Sequence, residues 1–424
     1  MKVTNRHMQL YAITDDRWLA GHSLEEQVEA ALKGGVTFLQ LRDKNASHQE
    51  LVNMAVKLKA IASRYNVPFV VNDDVEAAKE ADADGVHIGQ SDMDYEKARA
   101  ILGSDKIIGM TAKTVEQAKR AEALGADYIG VGAVFHTSTK SDAKDMSRNT
   151  LLSITEAVSL PVAAIGGINY DNADKLKHTG VSGIAVVSAI FSKENAYKAA
   201  LELKQKTDEI FDYKPKNIIF DMDGTLLNSM PYWRNLAREY ATSEGAVLPD
   251  NFDEVTYSMD LNESGRYLRD VLGINKSPET MKQEVLDVID KHYKDDIPMK
   301  PGMYRLLLKE RENKSRMCIF TSSDRACAAS AMKRLKVLDC FETIKTSYEV
   351  GISKKQPESY LKVCELMGFE PPETYVFEDV LHGVKSASAA GCKVIAVYDE
   401  DSKEHWDEIK ACAYDYIDID ENKD

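Results

Sequence analysis

Eight short apolar segments punctuate residues 8–189: MQLYAIT, FLQLR, FVVND, GVHIG, IIGMT, YIGVG, VAAIGG and GIAVVSA. Between them lie stretches with apolar positions at helical spacing, such as LEEQVEAALKGG (24–35), HQELVNMAVKLKAIASRY (48–65), TVEQAKRAEALGA (114–126) and NTLLSITEAV (149–158). Strand then helix, eight times over, predicts a closed parallel (β/α)8 TIM barrel. Residues 191–216 read as a last charged helix and a link through Tyr213-Lys214-Pro215-Lys216. From 217 a second alternation begins, with strands at NIIFDMDG, MCIFTSS, TYVFED and VIAVYD and with helical, charge-rich sequence inserted at 228–300. That layout predicts an open, Rossmann-like α/β domain with a helical cap after its first strand. The α/β chain is expected to divide near residue 210, into domains 1–210 and 211–424.

A length of 424 residues exceeds what one hydrophobic core usually supports, in keeping with two domains. The formal charge of −15, from 54 Lys+Arg against 69 Asp+Glu, argues against nonspecific binding of nucleic acid or anionic membrane. Anionic substrates would then need local cations or a metal. No apolar run reaches the roughly 18 residues of a membrane span, and the start, MKVTNRHMQLYAITDD, lacks a signal-peptide core, so a cytoplasmic protein is expected. The six cysteines, Cys318, Cys327, Cys340, Cys364, Cys392 and Cys412, show no CxxC spacing and read as buried reduced thiols. The sequence leaves the oligomeric state open, a homo-oligomer included.

Barrel enzymes take their chemistry from the C-terminal ends of the strands. Strand 2 ends in Gln40-Leu41-Arg42-Asp43-Lys44, where alternation would point Gln40, Arg42 and Lys44 to one side, fit to grip a polyanion. Strand 3 ends in Asn72-Asp73-Asp74, and Gly89-Gln90-Ser91-Asp92 follows strand 4. Sparse oxygen ligands of this kind suit Mg2+, which keeps waters or substrate phosphates as its other ligands. Thr137-Ser138-Thr139-Lys140 follows strand 6, Gly166-Gly167 closes strand 7, and Val187-Ser188-Ala189 closes strand 8. The loops after strands 7 and 8 are the usual phosphate cradle of this architecture, so one mouth would hold two anions.

Taken in order, QLRDK, VVND, GVHIGQSD, YIGVGAVFHTSTK, AAIGGI and GIAVVSAI resemble the thiamine phosphate synthase family over residues 8–200. The resemblance implies coupling of hydroxymethylpyrimidine diphosphate to a thiazole phosphate, giving thiamine phosphate and pyrophosphate. It also implies that Gln40, Arg42, Lys44, Asn72 and Lys140 hold the diphosphate and that Asp73 and Asp92 hold Mg2+. Thr137, Thr139, Gly167, Val187 and Ser188 would hold the thiazole phosphate. After strand 5 the chain has Thr111-Ala112-Lys113 where the family more often has a Ser and a His, so Thr111 keeps the hydroxyl while Lys113 alters the charge. His136 stands where the family often has Pro. A related branch that isomerises the thiazole lacks the full diphosphate and metal set, so Arg42, Lys44, Asp73 and Asp92 together favour the synthase.

In the second half, Asp221-Met222-Asp223-Gly224-Thr225 follows an apolar strand, MCIF ends in Thr321-Ser322, Lys354 precedes a helix, and TYVF ends in Glu378-Asp379. The hydroxyl suits a phosphoryl oxygen and the late carboxylates suit a metal. FDMDGTLLNS, FTSSD, SKKQPESYL and VFEDVLHGVKSASAAG resemble the haloacid dehalogenase superfamily of phosphohydrolases over about 216–420. The resemblance implies Asp221 as nucleophile, Asp223 as acid and then base, and Thr321 and Lys354 as phosphoryl ligands. It implies a second Mg2+ held by Asp221, the Asp223 carbonyl and Asp379, with Glu378 in support. Lys354-Lys355-Gln356-Pro357-Glu358 departs from the usual Lys-Pro-x-Pro-Asp, and Lys354 aligns best. Tyr232, Trp233, Arg234, Arg238 and Arg266 are candidates for substrate contact from the cap. The reading is a bifunctional enzyme, a thiamine phosphate synthase fused to a phosphatase of a small phosphomonoester. Its alternatives make the second domain a binding module without chemistry, or a phosphomutase.

Overall fold

The computed structural model describes residues 2–19, 21–136, 146–256, 259 and 261–418. Eight parallel strands, β1 (Leu10–Ile13), β2 (Phe38–Leu41), β3 (Phe69–Asn72), β4 (Gly85–Ile88), β5 (Ile107–Ala112), β6 (Tyr128–Gly132), β7 (Val162–Ile165) and β8 (Gly183–Val186), close into a barrel. Closure comes from β1 pairing with both β2 and β8. Alternate residues serve two cores, as the period of a strand requires. Tyr11, Ile13, Phe38, Val70, Ile107 and Tyr128 fill the interior. Leu10, Ala12, Leu39, Val71 and Val86 face outward, against helices such as Leu24–Lys33 and His48–Arg64. Both helices begin with a Ser/Glu capping box, Ser23 with Glu26 and Ser47 with Glu50, which satisfies backbone donors their first turns would leave unpaired.

The chain parts into two compact units between Tyr213 and Lys214, after the helix Ala196–Phe211. The second unit is a parallel sheet of β9 (Asn217–Phe220), β10 (Arg316–Thr321), β11 (Thr343–Thr346), β12 (Thr374–Glu378), β13 (Lys393–Val397) and β14 (Asp415–Ile417), in the order β11-β10-β9-β12-β13-β14. Its two faces are covered by separate apolar clusters, one including Phe220, Ile319 and Phe377 and the other Ile219, Phe320 and Val376. Helices Met230–Ser243, Phe252–Thr256, Leu261–Asp270 and Pro278–Asp295 form the cap between β9 and β10. All six cysteines are free thiols, four of them buried. No helix among the described residues is long and apolar enough to cross a membrane.

Two expectations needed adjustment. β2 ends at Leu41, so strand alternation carries Gln40 inward beside Phe38 but does not extend to Arg42 and Lys44, which stand on the following loop. The edge strands β11 and β14 were not foreseen. Each is three or four residues long with polar side chains, TIKT and DYI, because an edge strand is not buried on all sides.

Candidate active sites

At the barrel mouth, the ends of β1 to β5 bring charged groups into a row. Gln40 is buried at the end of β2. The half-buried Arg42 reaches Asp15, with Nη1 3.6 Å from Oδ2. Asp15 is buried after β1 and also accepts from Arg17 through Nε and Nη2, at 2.7 Å each. These contacts, led by the Arg17 hydrogen bond, hold the Asp15 carboxyl below its usual range. One buried carboxylate thus orients two guanidiniums, one of them a residue expected to hold diphosphate.

Asp73 follows β3 at φ +63°, its N–H donating to the His87 carbonyl at 2.9 Å. Burial of the carboxyl, and next its hydrogen bond and like charge with Asp92, push Asp73 up to about 6, against pulls from Asn72 and Arg42. Asp73 lies exposed at the mouth, where the neighbouring Asp92 carboxylate disfavours its charged form. Asp92 is fixed in turn by the Gly89 N–H, 2.6 Å from its Oδ2. Two carboxyls drawn together at the strand ends fit a shared divalent cation.

Thr111, at the mouth end of β5, lies 3.0 Å from His87 Nε2, and His87 Nδ1 lies 3.0 Å from the Tyr128 hydroxyl. Tyr128 meets Tyr11 at 2.8 Å in the barrel interior. Asp15 and His87 were missed from sequence. The available signal was a polar residue at an inward or strand-end position of an otherwise apolar segment. On the opposite rim, Gly167 sits at φ +64°, and a Cβ there would lie 2.3 Å from the His136 carbonyl, so only glycine fits. Val187 and Ser188 are half-buried after β8. Lys44, Lys113 and His136 are exposed. Thr137, Thr139 and Lys140 lie outside the described residues.

In the second unit the sheet order puts β10, β9 and β12 side by side, so their C-terminal ends converge. Asp221 leaves β9 buried, and the Lys354 ammonium contacts Asp221 Oδ1, Glu378 Oε1 (2.5 Å) and the Phe320 carbonyl (3.1 Å). Lys355, by contrast, is exposed. The Tyr360 hydroxyl donates to Glu378 Oε1 at 2.6 Å, while the buried Glu378 Oε2 finds no partner among the described residues. Thr225 donates to Asp379 at 2.9 Å. Gly224 turns the chain at φ +81°, and a Cβ there would lie 2.2 Å from Asp379 Oδ2, so glycine lets this turn approach that carboxylate. Thr321 closes β10, buried, its Oγ1 accepting from the Ser323 N–H at 3.0 Å.

Carboxylate oxygens of Asp221, Glu378 and Asp379 lie within 4.8 Å of one another. Burial, with Glu378 and Asp223 adding to it against the pull of Lys354, pushes Asp221 up to about 7. Burial, with the charges of Asp221, Glu378 and Asp399 adding to it against the pull of Lys300, pushes Asp379 well up. Burial opposes the charge on Lys354, but Asp221 and Glu378 more than offset it and keep the ammonium protonated. Three buried carboxylates within 4.8 Å of one another, two of them on one ammonium, match the donor set of a divalent cation. Removing the lysine should therefore be costly in itself. Lys354→Met is expected to destabilise the second unit by about 3 kcal/mol, since it leaves two buried carboxylates without their counter-ion. Thermal melting should show that loss in the second unit's transition, with the barrel's transition unmoved.

Asp223 accepts three hydroxyl hydrogen bonds: Ser229 (2.7 Å) and Tyr293 (2.5 Å) on Oδ1, and Ser323 (2.6 Å) on Oδ2. None of these three donors was singled out from sequence. Of the cap candidates, Trp233 donates to the Tyr293 hydroxyl at 3.1 Å, and Tyr232 packs on His292 with ring centroids 4.9 Å apart. Arg234 pairs with Asp401 at 3.1 Å, Arg238 is engaged by Asp253, and Arg266 is exposed.

Residues 10–190 match the family model described as thiamine monophosphate synthase, and residues 218–397 match that described as haloacid dehalogenase-like hydrolase. The thiamine-phosphate synthase of Ruminiclostridium cellulolyticum is 50% identical over 194 residues, covering 46% of this chain and 92% of that protein. Among solved structures, the thiamine phosphate pyrophosphorylase of Pyrococcus furiosus is 41% identical with a TM-score of 0.45, over 49% of this chain and 98% of that one. A HAD hydrolase, family IA, variant 3, from Entamoeba histolytica is 21% identical with a TM-score of 0.40, over 48% of this chain and 92% of that one.

Proposed function

This chain belongs, through residues 10–190, to the thiamine-phosphate synthase family, and we propose that it couples hydroxymethylpyrimidine diphosphate to a thiazole phosphate while its second unit hydrolyses a small phosphomonoester. The observation that carries the first activity is the charged row of Arg42, Asp73 and Asp92 at the barrel mouth. Coupling releases pyrophosphate from a carbon attached to an electron-rich ring, so negative charge grows on the leaving group as the bond breaks. Arg42, oriented by Asp15, meets that charge where it develops, with Lys44 and Lys140 as further cations. Gln40, Asn72 and Thr111 orient the pyrimidine diphosphate. Thr137, Thr139, Gly167, Val187 and Ser188 hold the thiazole phosphate.

The second activity is supported by Asp221 and Lys354 meeting beneath Glu378 and Asp379. Asp221 attacks phosphorus to form an aspartyl-phosphate, Asp223 protonates the leaving oxygen and then takes a proton from water, and Lys354 and Thr321 hold the phosphoryl oxygens. Mg2+ would be held by Asp73 and Asp92 in the barrel, and by Asp221, the Asp223 carbonyl and Asp379, with Glu378 in support, in the second unit. It would supply charge neutralisation of phosphate oxygens in both. Supplying the two precursors with Mg2+ should yield thiamine phosphate and pyrophosphate, read by chromatography. Chelation with EDTA should stop both activities, and magnesium should restore them; no product from the correct precursors would refute the first assignment.

A further inference from the structure

We infer that Tyr293, oriented by Trp233, is a positioning residue that leaves Asp223 a single oxygen position through which to give and take its proton. This rests on the phosphatase reading above and adds to it how the acid–base group is aimed. A carboxylate has about four acceptor positions, two on each oxygen. On Asp223, Oδ1 is filled by Ser229 and Tyr293, and Oδ2 is half-filled by Ser323. Among the described residues, one position on Oδ2 remains.

The direction of the Tyr293 bond is fixed by chemistry. An indole N–H only donates, so Trp233 Nε1 makes the Tyr293 oxygen an acceptor, and the one phenol proton is left for Asp223. The 3.4 Å approach of Tyr293 to Ser323 is too long to compete with the 2.5 Å bond. Tyr293 itself is fully buried near the end of the cap helix Pro278–Asp295. Arg334, from the helix Arg325–Arg334, binds the carbonyls of Tyr293 (3.2 Å) and Ile297, and Cys327 donates to Asp290 at 3.3 Å. The cap helix is thereby pinned at the end that carries the hydroxyl.

In the first step the Asp221–phosphorus bond forms, the phosphorus–oxygen bond to the alcohol breaks, and the proton on Asp223 Oδ2 passes to the departing oxygen. In the second, water attacks phosphorus, its proton returns to Oδ2, and the Asp221–phosphorus bond breaks to release phosphate. Without Tyr293 the carboxyl can rotate, and the proton is delivered less often to the departing oxygen.

The test compares two esters on the full chain with Mg2+. Glycerol 2-phosphate needs its leaving alkoxide protonated, whereas p-nitrophenyl phosphate releases a stable phenolate without a proton. Because kcat/KM reports the steps through aspartyl-phosphate formation, Tyr293→Phe should lower it about tenfold or more for the alkyl ester and threefold or less for the aryl ester. Trp233→Phe should shift the two esters in the same unequal sense by a smaller factor, and carries the comparison if Tyr293→Phe folds poorly. Equal losses on both esters, or none, would overturn the proposal while leaving the phosphatase reading standing. If the unaltered chain turned over neither ester, the phosphatase reading would fail, and the proposal with it.

Discussion

Asp221→Asn should reduce phosphate release from every phosphomonoester the full chain turns over by at least about a thousandfold, while thiamine phosphate formation continues at its original rate. An amide has the size of the carboxylate and can still accept from Lys354, so the buried site should keep its packing. What it loses is the anionic oxygen proposed to attack phosphorus. The readouts are phosphate release and covalent labelling by a phosphorylated substrate, which should appear on the unaltered chain and be absent from the variant. Residual release above about a hundredth of the starting rate would mean that another group attacks.

Asp73→Ala should do the reverse, cutting thiamine phosphate formation by about a thousandfold and leaving phosphate release unchanged. The like charge of Asp92 acts on Asp73, and removing one of the pair would remove half of the anionic set proposed to hold Mg2+. Asp92 would still be held by the Gly89 N–H, so the neighbouring loop should keep its shape. Isothermal titration with Mg2+ and inorganic pyrophosphate together would separate lost binding from a misfolded barrel. An active Asp73→Ala protein would mean that the metal is held elsewhere.

Much of this architecture is legible in the sequence because parallel strands buried on both faces read as unbroken apolar runs, as YIGVG and VAAIGG do. The β11 and β14 edges were hidden by their length and polar side chains. Asp221, Lys354, Glu378 and Asp379 were legible because each stands in a signature stretch, and the structure brings them together. Tyr293 was not, because a tyrosine within an amphipathic helix looks like ordinary cap core, and only tertiary structure sets it against Asp223. Asp15 was not singled out, because its hold on Arg17 and Arg42 depends on a burial that local sequence does not express.

The placement of β9 in the middle of the second sheet has a consequence for synthesis. Its two neighbours, β10 and β12, come far later in the chain, separated from it by the whole cap and by a further run of helices. Pairings between distant segments form slowly, because the entropy of closing the loop is spent before the contacts reward it. On the ribosome the barrel strands have all emerged before Asp221, whereas the second site waits for Asp379. During that interval β9, with Ile218, Ile219 and Phe220, is an apolar strand lacking both partners. The nascent chain is then at its most open to mispairing, and a chaperone or a slower passage through the cap would have most to protect.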